Sequence, residues 1–206
     1  MKDKIIIVDY GMGNLFSVRK KLYSLGIDAI VTSDKKELET ADKIILPGVG
    51  HFAKAMENLK NKGLIKVLNQ AVLVEKKPVL GICLGVQLMA KFSEEGNVDG
   101  LGWIDATVER FKIKDTLKYK VPQMGWNTVS QEKDSKLMHN ISLEDEFYFV
   151  HSYHLNVLEK EIILNKTNYE YDFVSAIEKD NIFGVQYHPE KSHNAGAQLI
   201  KNFIEL

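Results

Sequence analysis

Hydrophobic and polar positions along the first half of the chain alternate between two periods. Ile5-Ile6-Ile7-Val8 is a short, wholly apolar run, the pattern of a strand buried on both faces. A turn, Gly11-Met12-Gly13-Asn14, leads into Leu15, Val18, Leu22 and Leu25, which share one face of a helix. Asn14 is placed to cap that helix and Gly26 to stop it. Asp28 to Val31 reads as a second strand, and Lys43 to Leu46 as a third, closed by Pro47-Gly48. Ala53 to Val74 reads as helix interrupted near Gly63. Pro78 to Ile82 is a fourth apolar strand, with a short helix from Val86 to Phe92 behind it.

Beyond Gly100 the pattern changes. Thr107–Phe111, Thr128–Ser130, Glu146–Val150, Phe173–Ile177 and Ile182–Tyr187 are rich in β-branched and aromatic residues, separated by polar turns. The C-terminus returns to helix, with Ala195, Leu199, Ile200 and Phe203 on one side. The expected architecture is α/β: a mostly parallel sheet flanked by helices and extended by antiparallel strands in the second half. No repeat, low-complexity tract or linker divides the chain, so residues 1–206 are expected to form a single domain.

Composition narrows the class. An apolar fraction of 45% and a charged fraction of 27% are those of a soluble globular protein. With 27 Lys+Arg against 28 Asp+Glu, nothing in the net charge of -1 calls for nucleic acid or an anionic membrane. No apolar run approaches the roughly 18–20 residues of a membrane helix. The N-terminal residues do not resemble a signal peptide. The single cysteine, Cys83, excludes an intrachain disulfide and suits a reducing, cytoplasmic compartment.

That cysteine sits in Gly81-Ile82-Cys83-Leu84-Gly85. A nucleophile on a sharp strand-to-helix turn needs small residues two positions before and after it, because larger side chains would collide. The N-terminus of the following helix sets unpaired N–H groups and a partial positive charge beside the sulfur, favouring the thiolate. Taken alone, the pentapeptide is equally consistent with a small buried hydrophobe. His188-Pro189-Glu190, directly after the strand at 182–187, changes the balance. A thiol nucleophile needs a histidine base, and the base needs a carboxylate to fix its tautomer. In extended chain, an i, i+2 spacing points His188 and Glu190 the same way.

Gly-Ile-Cys-Leu-Gly-Val-Gln (81–87) together with His188-Pro189-Glu190 resembles the triad-type (class I) glutamine amidotransferases. Asp9–Leu15, Pro47–Phe52 and Pro122–Asn127 narrow the resemblance to the glutaminase subunits of imidazole glycerol phosphate synthases, of histidine biosynthesis. The resemblance implies Cys83 as nucleophile, His188 as base and acid, and Glu190 as its orienting partner. Glutamine would be hydrolysed to glutamate through a cysteine thioester, and the ammonia channelled to a (β/α)8-barrel cyclase subunit in a heterodimer. Oxyanion donors are expected from the N–H of Leu84 and from the segment of Val49 and Gly50. A valine flanked by two glycines suggests a switch, its N–H pointing away at rest and turning inward on partner binding. Gln87 and the backbone near Ser152 and Tyr153 are expected to hold the substrate. A paralogue feeding another acceptor, such as a sugar amidination system, would carry the same triad.

Other features carry less. Gly11-Met12-Gly13 lacks the third glycine of a dinucleotide fingerprint, since Phe16 stands there. His151 and His154 could suggest a metal pair, but no second ligand set accompanies them, and neither metal nor cofactor is expected. Gln123, Met124 and Trp126, in a turn-like stretch, are either core filling or contacts with the synthase partner. The resemblance adds Asn14 and Lys191 to that interface, the latter as one half of a cross-interface ion pair.

Overall fold

The computed structural model describes residues 3–206. The first half runs β1 (Ile5–Val8), α1 (Leu15–Ser24), β2 (Ala29–Thr32), α2 (Lys35–Glu39), β3 (Lys43–Gly48), α3 (Phe52–Asn61), α4 (Leu64–Asn69), β4 (Val79–Cys83) and α5 (Leu84–Leu88). Strands β2, β1, β3 and β4 lie side by side in that order, all parallel. The wholly apolar run of β1 now has its reason. Ile6 and Val8 pack with Phe52, Leu59 and Leu68 of α3 and α4 on one face, whereas Ile5 and Ile7 pack with Val18 and Leu22 of α1 on the other. A strand covered on both sides has no position at which a polar residue reaches water.

The second half runs β5 (Phe92–Ser93), β6 (Val98–Asp99), β7 (Ala106–Arg110), β8 (Gln123–Thr128), β9 (Ser130–Gln131), β10 (Glu146–His151), β11 (Tyr153–Val157), β12 (Ile163–Tyr169), β13 (Tyr171–Lys179), β14 (Ile182–Val185) and α6 (His193–Glu205). Strand β14 returns to lie parallel beside β4, and β13, antiparallel to β14, begins the antiparallel extension. The sheet continues through β11, β7, β5 and β6, while β8 and β10 form a separate antiparallel ribbon. Helix α6 buries Ala195, Leu199, Ile200 and Phe203 on the α1 side. Among the described residues no helix is long and apolar enough to cross a membrane.

Several boundaries differ from the sequence expectation. Pro47 and Gly48 do not close β3; they extend it, pairing with Ile82 and Cys83. The helix expected over Val86–Phe92 starts and ends earlier, and Phe92 belongs to β5, parallel to β7. Gln123–Trp126 is strand rather than turn, because it pairs along its length with β10. The strand expected to reach Tyr187 stops at Val185, so two residues separate its end from His188. Strands β11 and β12 carry His154, Asn156, Asn165 and Asn168, whose polarity hid them.

Candidate active site

The parallel register aligns Gly48 at the end of β3 with Cys83 at the end of β4, and Val185 of the neighbouring β14 with Ile82. Three chain segments therefore leave the sheet side by side at its C-terminal edge, where open α/β sheets place their ligand crevices. Cys83 occupies the elbow between β4 and α5 with φ 53° and ψ −109°, a conformation that costs an L-residue about 1–3 kcal/mol. Both flanking glycines are required by close approach. A Cβ on Gly81 would stand 2.7 Å from the backbone nitrogen of Val86, and one on Gly85 would overlap the carbonyl oxygen of Leu46. The second collision is with the neighbouring strand β3, so the elbow is tightened by the sheet as well as by its own turn.

His188 and Glu190 meet by a different geometry from that expected. Pro189–Lys191 is a single 3-10 turn rather than extended chain. His188 donates its backbone N–H to Tyr148 O at 2.9 Å. The Ser192 hydroxyl donates to His188 O at 2.6 Å and accepts the Tyr148 N–H at 3.0 Å. The loop is thereby tied to β10. His188 Nδ1 lies 2.8 Å from Glu190 Oε1, which places the proton on Nδ1 and leaves Nε2 to face chemistry. Nε2 is buried and has no hydrogen-bond partner. Burial by itself would lower the basicity of His188, but the charge of the Cys83 sulfur and the Glu190 carboxylate outweigh it and raise the pKa to about 9.

Cys83 opens into a cleft of about 270 Å³ lined by Val49, Gly50, Leu84, Gln87, Glu95, Pro122 and the segment 150–153. This is just below the range of drug-sized pockets and suits a small polar ligand. A larger hollow of about 800 Å³, around Asp134, Lys136 and His139, includes neither Cys83 nor His188 in its lining. At the cleft's rim Val49 is 38% exposed, and Gly50 has φ +118°. The Tyr10 hydroxyl, buried against the segment, donates to Pro47 O at 2.7 Å and anchors its base. Leu84 begins α5, where the first N–H groups have no partner inside the helix.

Gln87 is buried, and its amide nitrogen donates to Tyr153 O at 2.9 Å and to Gln186 Oε1 at 3.0 Å. Both protons of that nitrogen are therefore committed to the protein, and only the oxygen end remains for a ligand. The carbonyls of Ser152 and Tyr153 are also engaged, by Phe111 N–H and by Gln87 and His151 respectively. Sequence reasoning passed over two residues here. Glu95 lines the cleft while one of its oxygens accepts the Phe52 N–H at 2.7 Å. Gln186 donates to Cys83 Sγ at 3.6 Å. Neither stands in a recognisable local pattern; only the fold brings them to the sulfur.

His151 Nδ1 donates to Tyr153 O at 2.7 Å, and burial pushes its pKa down to about 3. His154 is bonded to Leu155 O and to the Tyr171 hydroxyl. Among the described residues no group of three or more His, Cys, Asp or Glu is arranged for a metal ion.

The remaining sequence candidates lie on β8, on the turn after His188 and at the start of α1. On β8, alternation turns Met124 and Trp126 outward at 65% and 42% exposure. Trp126 stacks on His193 with centroids 4.7 Å apart, and Lys191 Nζ lies 5.5 Å above the Tyr148 ring. Gln123 is corrected: the same alternation turns it inward at 3% exposure, opposite His151, so its side chain is not part of that face. Asn14 caps α1, accepting from Ser17 N–H at 3.2 Å.

Comparison with known proteins gives the family. The family model described as glutamine amidotransferase class-I matches residues 6–206. The imidazole glycerol phosphate synthase subunit HisH 2 of Methanococcus maripaludis is 50% identical over 201 residues, covering 98% of both chains. The protein of the same name from Pseudomonas aeruginosa is 45% identical over 98% of this chain and 99% of its own. A solved glutamine amidotransferase superposes with a TM-score of 0.72 at 18% identity, over 97% of each chain, which speaks for the fold alone. With the family model spanning nearly every residue and full-length relatives near half identity, this chain belongs to the class I glutamine amidotransferases.

Proposed function

We propose that the chain is the glutaminase subunit of an imidazole glycerol phosphate synthase, hydrolysing L-glutamine and passing ammonia to a (β/α)8-barrel cyclase subunit. The observation that carries this reading is the Cys83 elbow facing a histidine whose Nδ1 is held 2.8 Å from a buried carboxylate, in a protein half identical to a subunit of that name. Cys83 sulfur attacks the side-chain carboxamide carbon of glutamine. His188, charged at neutral pH, protonates the departing nitrogen, and ammonia leaves a thioester on Cys83. His188 then takes a proton from water as the water attacks the thioester carbon. Glutamate departs and the sulfur is restored.

The tetrahedral oxygen is received by the Leu84 N–H and by a donor from Val49 or Gly50. One such donor contributes on the order of 2.7–4 kcal/mol to transition-state stabilisation. The Val49 N–H is the mobile one in this reading, turning inward when the partner docks. Tyr10 holds the preceding Pro47 carbonyl, so the rotation is confined to peptides beyond it. Glu95 supplies negative charge for the substrate's ammonium group, and the N–H groups near Ser152 and Tyr153 supply donors for its carboxylate. Met124 and Trp126 anchor the cyclase, with Asn14 and Lys191 at the periphery of the contact. Ammonia released into neutral water would be protonated and no longer nucleophilic, which is the physical need for an enclosed path into a partner.

The test is a glutaminase assay of the chain alone and with a cyclase subunit loaded with its ribonucleotide substrate. Glutamate release that appears with the partner and vanishes in Cys83→Ala is expected. Release unchanged by Cys83→Ala would refute the assignment.

A further inference from the structure

We propose that Gln186 holds the Cys83 sulfur in its anionic form through a side-chain N–H···S hydrogen bond, set in orientation by a buried polar chain that starts in the substrate-binding segment. The inference rests on Cys83 being the nucleophile and goes beyond that reading by adding a positioning residue to it.

The orientation follows from one group that has no freedom to flip. Tyr153 O is a backbone carbonyl and only accepts. It lies 2.9 Å from the terminal nitrogen of Gln87, which must therefore be the NH₂ end of that amide. The same nitrogen lies 3.0 Å from the terminal oxygen of Gln186, so Gln186 must present its acceptor to Gln87 and its NH₂ to the other side. On that other side, at 3.6 Å, is Cys83 Sγ. Gln186 is buried, its own backbone N–H is bonded to Ser175 O at 2.8 Å, and its amide is turned to the sulfur rather than to water.

A protonated sulfur has a weak acceptor and its own donor, whereas a thiolate accepts strongly. Val150 O, 4.0 Å from the sulfur, is an acceptor that suits the thiol and opposes the anion, whereas the His188 imidazole favours the anion. The Gln186 N–H is a neutral donor that adds to His188 on the side of the anion. His151 joins the chain by donating to the same Tyr153 carbonyl, linking the segment at 151–153 to the nucleophile through two amides.

Alkylation tests the proposal without glutamine. Iodoacetamide reacts when the thiolate attacks its methylene carbon, forming a thioether and expelling iodide, so the rate against pH reports the thiolate fraction. The full chain is compared with Gln186→Met and Gln186→Glu, with thermal unfolding followed in parallel. Loss of a charge-assisted donor is expected to move the alkylation midpoint in the Met variant up by about one pH unit, a roughly tenfold slower rate below it. Glutamate keeps the acceptor for Gln87 but sets a carboxylate against the sulfur, so its midpoint is expected to rise further. A merely structural residue would give the reverse order, with Glu close to wild type and Met the more disturbed. That order, or an unchanged midpoint in both variants, overturns the proposal. Should the Met variant fail to fold, an unchanged midpoint in the Glu variant alone does so. The functional reading falls on a different result, namely glutamine turnover that survives complete alkylation of Cys83.

Discussion

Glu190 Oε1 lies 2.8 Å from His188 Nδ1, and both side chains are 1% exposed. A short, dry contact of this kind fixes the imidazole tautomer and leaves Nε2 as the working nitrogen. Glu190→Gln keeps the shape but lets the amide donate as well as accept, so the tautomer is no longer specified. Glutamine hydrolysis by the complex is expected to fall on the order of 100-fold or more, with a smaller change in KM. Steady-state kinetics on the assembled complex decide this. A variant with full kcat would show that the carboxylate does not orient the base.

The raised pKa of His188 has a sign that can be followed. Burial lowers it, and the Cys83 and Glu190 charges bring it from 6.5 to about 9. The folded chain keeps a proton that the unfolded chain releases, so this contribution to stability is fully present below about pH 6.5 and is lost as pH rises through about 9. In Cys83→Ala the sulfur charge is gone and the His188 titration, followed by NMR of the imidazole carbons, is expected to move down. Urea unfolding of that variant should lose less stability between pH 6.5 and 9 than the wild type does. A His188 titration at the same pH in both proteins would rule out the coupling.

The strained elbow predicts an inverted ranking of small residues. At most positions glycine is less stable than alanine, but at φ 53° and ψ −109° the Cβ is the source of the strain. Cys83→Gly is expected to be more stable than Cys83→Ala by about 1 kcal/mol, with both inactive. Chemical denaturation of the two variants checks the order. Alanine equal or superior would show that the elbow carries no such strain.

Gly85 has no room for a single carbon, because its Cα faces the Leu46 carbonyl of β3. Gly85→Ala must push α5 off the strand, and a loss of about 3 kcal/mol or more is expected, together with loss of activity. Gly102→Ala is the opposite case: Gly102 has φ +69° with open space around its Cβ position, so it reports backbone strain without a collision. A Gly85→Ala chain with an unchanged denaturation midpoint would contradict the close approach.

Met124 offers a test that separates folding from the proposed partner contact. At 65% exposure it adds little to the free chain, and Met124→Ala should change stability by no more than about 0.5 kcal/mol. Affinity for the cyclase subunit should fall by more than about 1 kcal/mol, roughly fivefold. Calorimetric titration of the two subunits measures it. Unaltered affinity would remove Met124 from the contact.

Much of the first half could be read in advance because its signals are local. β1 and β4 are apolar throughout, since each is covered on both faces, and Asn14 begins α1 by the side-chain cap its residue type suggests. The elbow was legible for a related reason: glycines two positions on either side of a cysteine describe a backbone constraint within five residues. The second half was less legible. β11 and β12 place histidine and asparagine inside the sheet by pairing them with groups distant in sequence, as in the bond between Tyr187 Oη and Asn165 Oδ1 at 3.1 Å. Gln123 was misplaced because its direction depends on the register of β8 against β10.

The sequence by itself determined the periodicities, the elbow, and which residue types stood ready as nucleophile, base and carboxylate. Those follow from sterics and spacing within a turn or a strand. Only the tertiary structure decided that β14 lies beside β4, and hence that His188 reaches Cys83. It decided as well that a 3-10 turn, rather than extended chain, joins His188 to Glu190, and that Gln186 donates to the sulfur. Those relations rest on strand order and on bonds between segments remote in sequence. No local pattern encodes them, because the groups that satisfy one another become neighbours only once the sheet has formed.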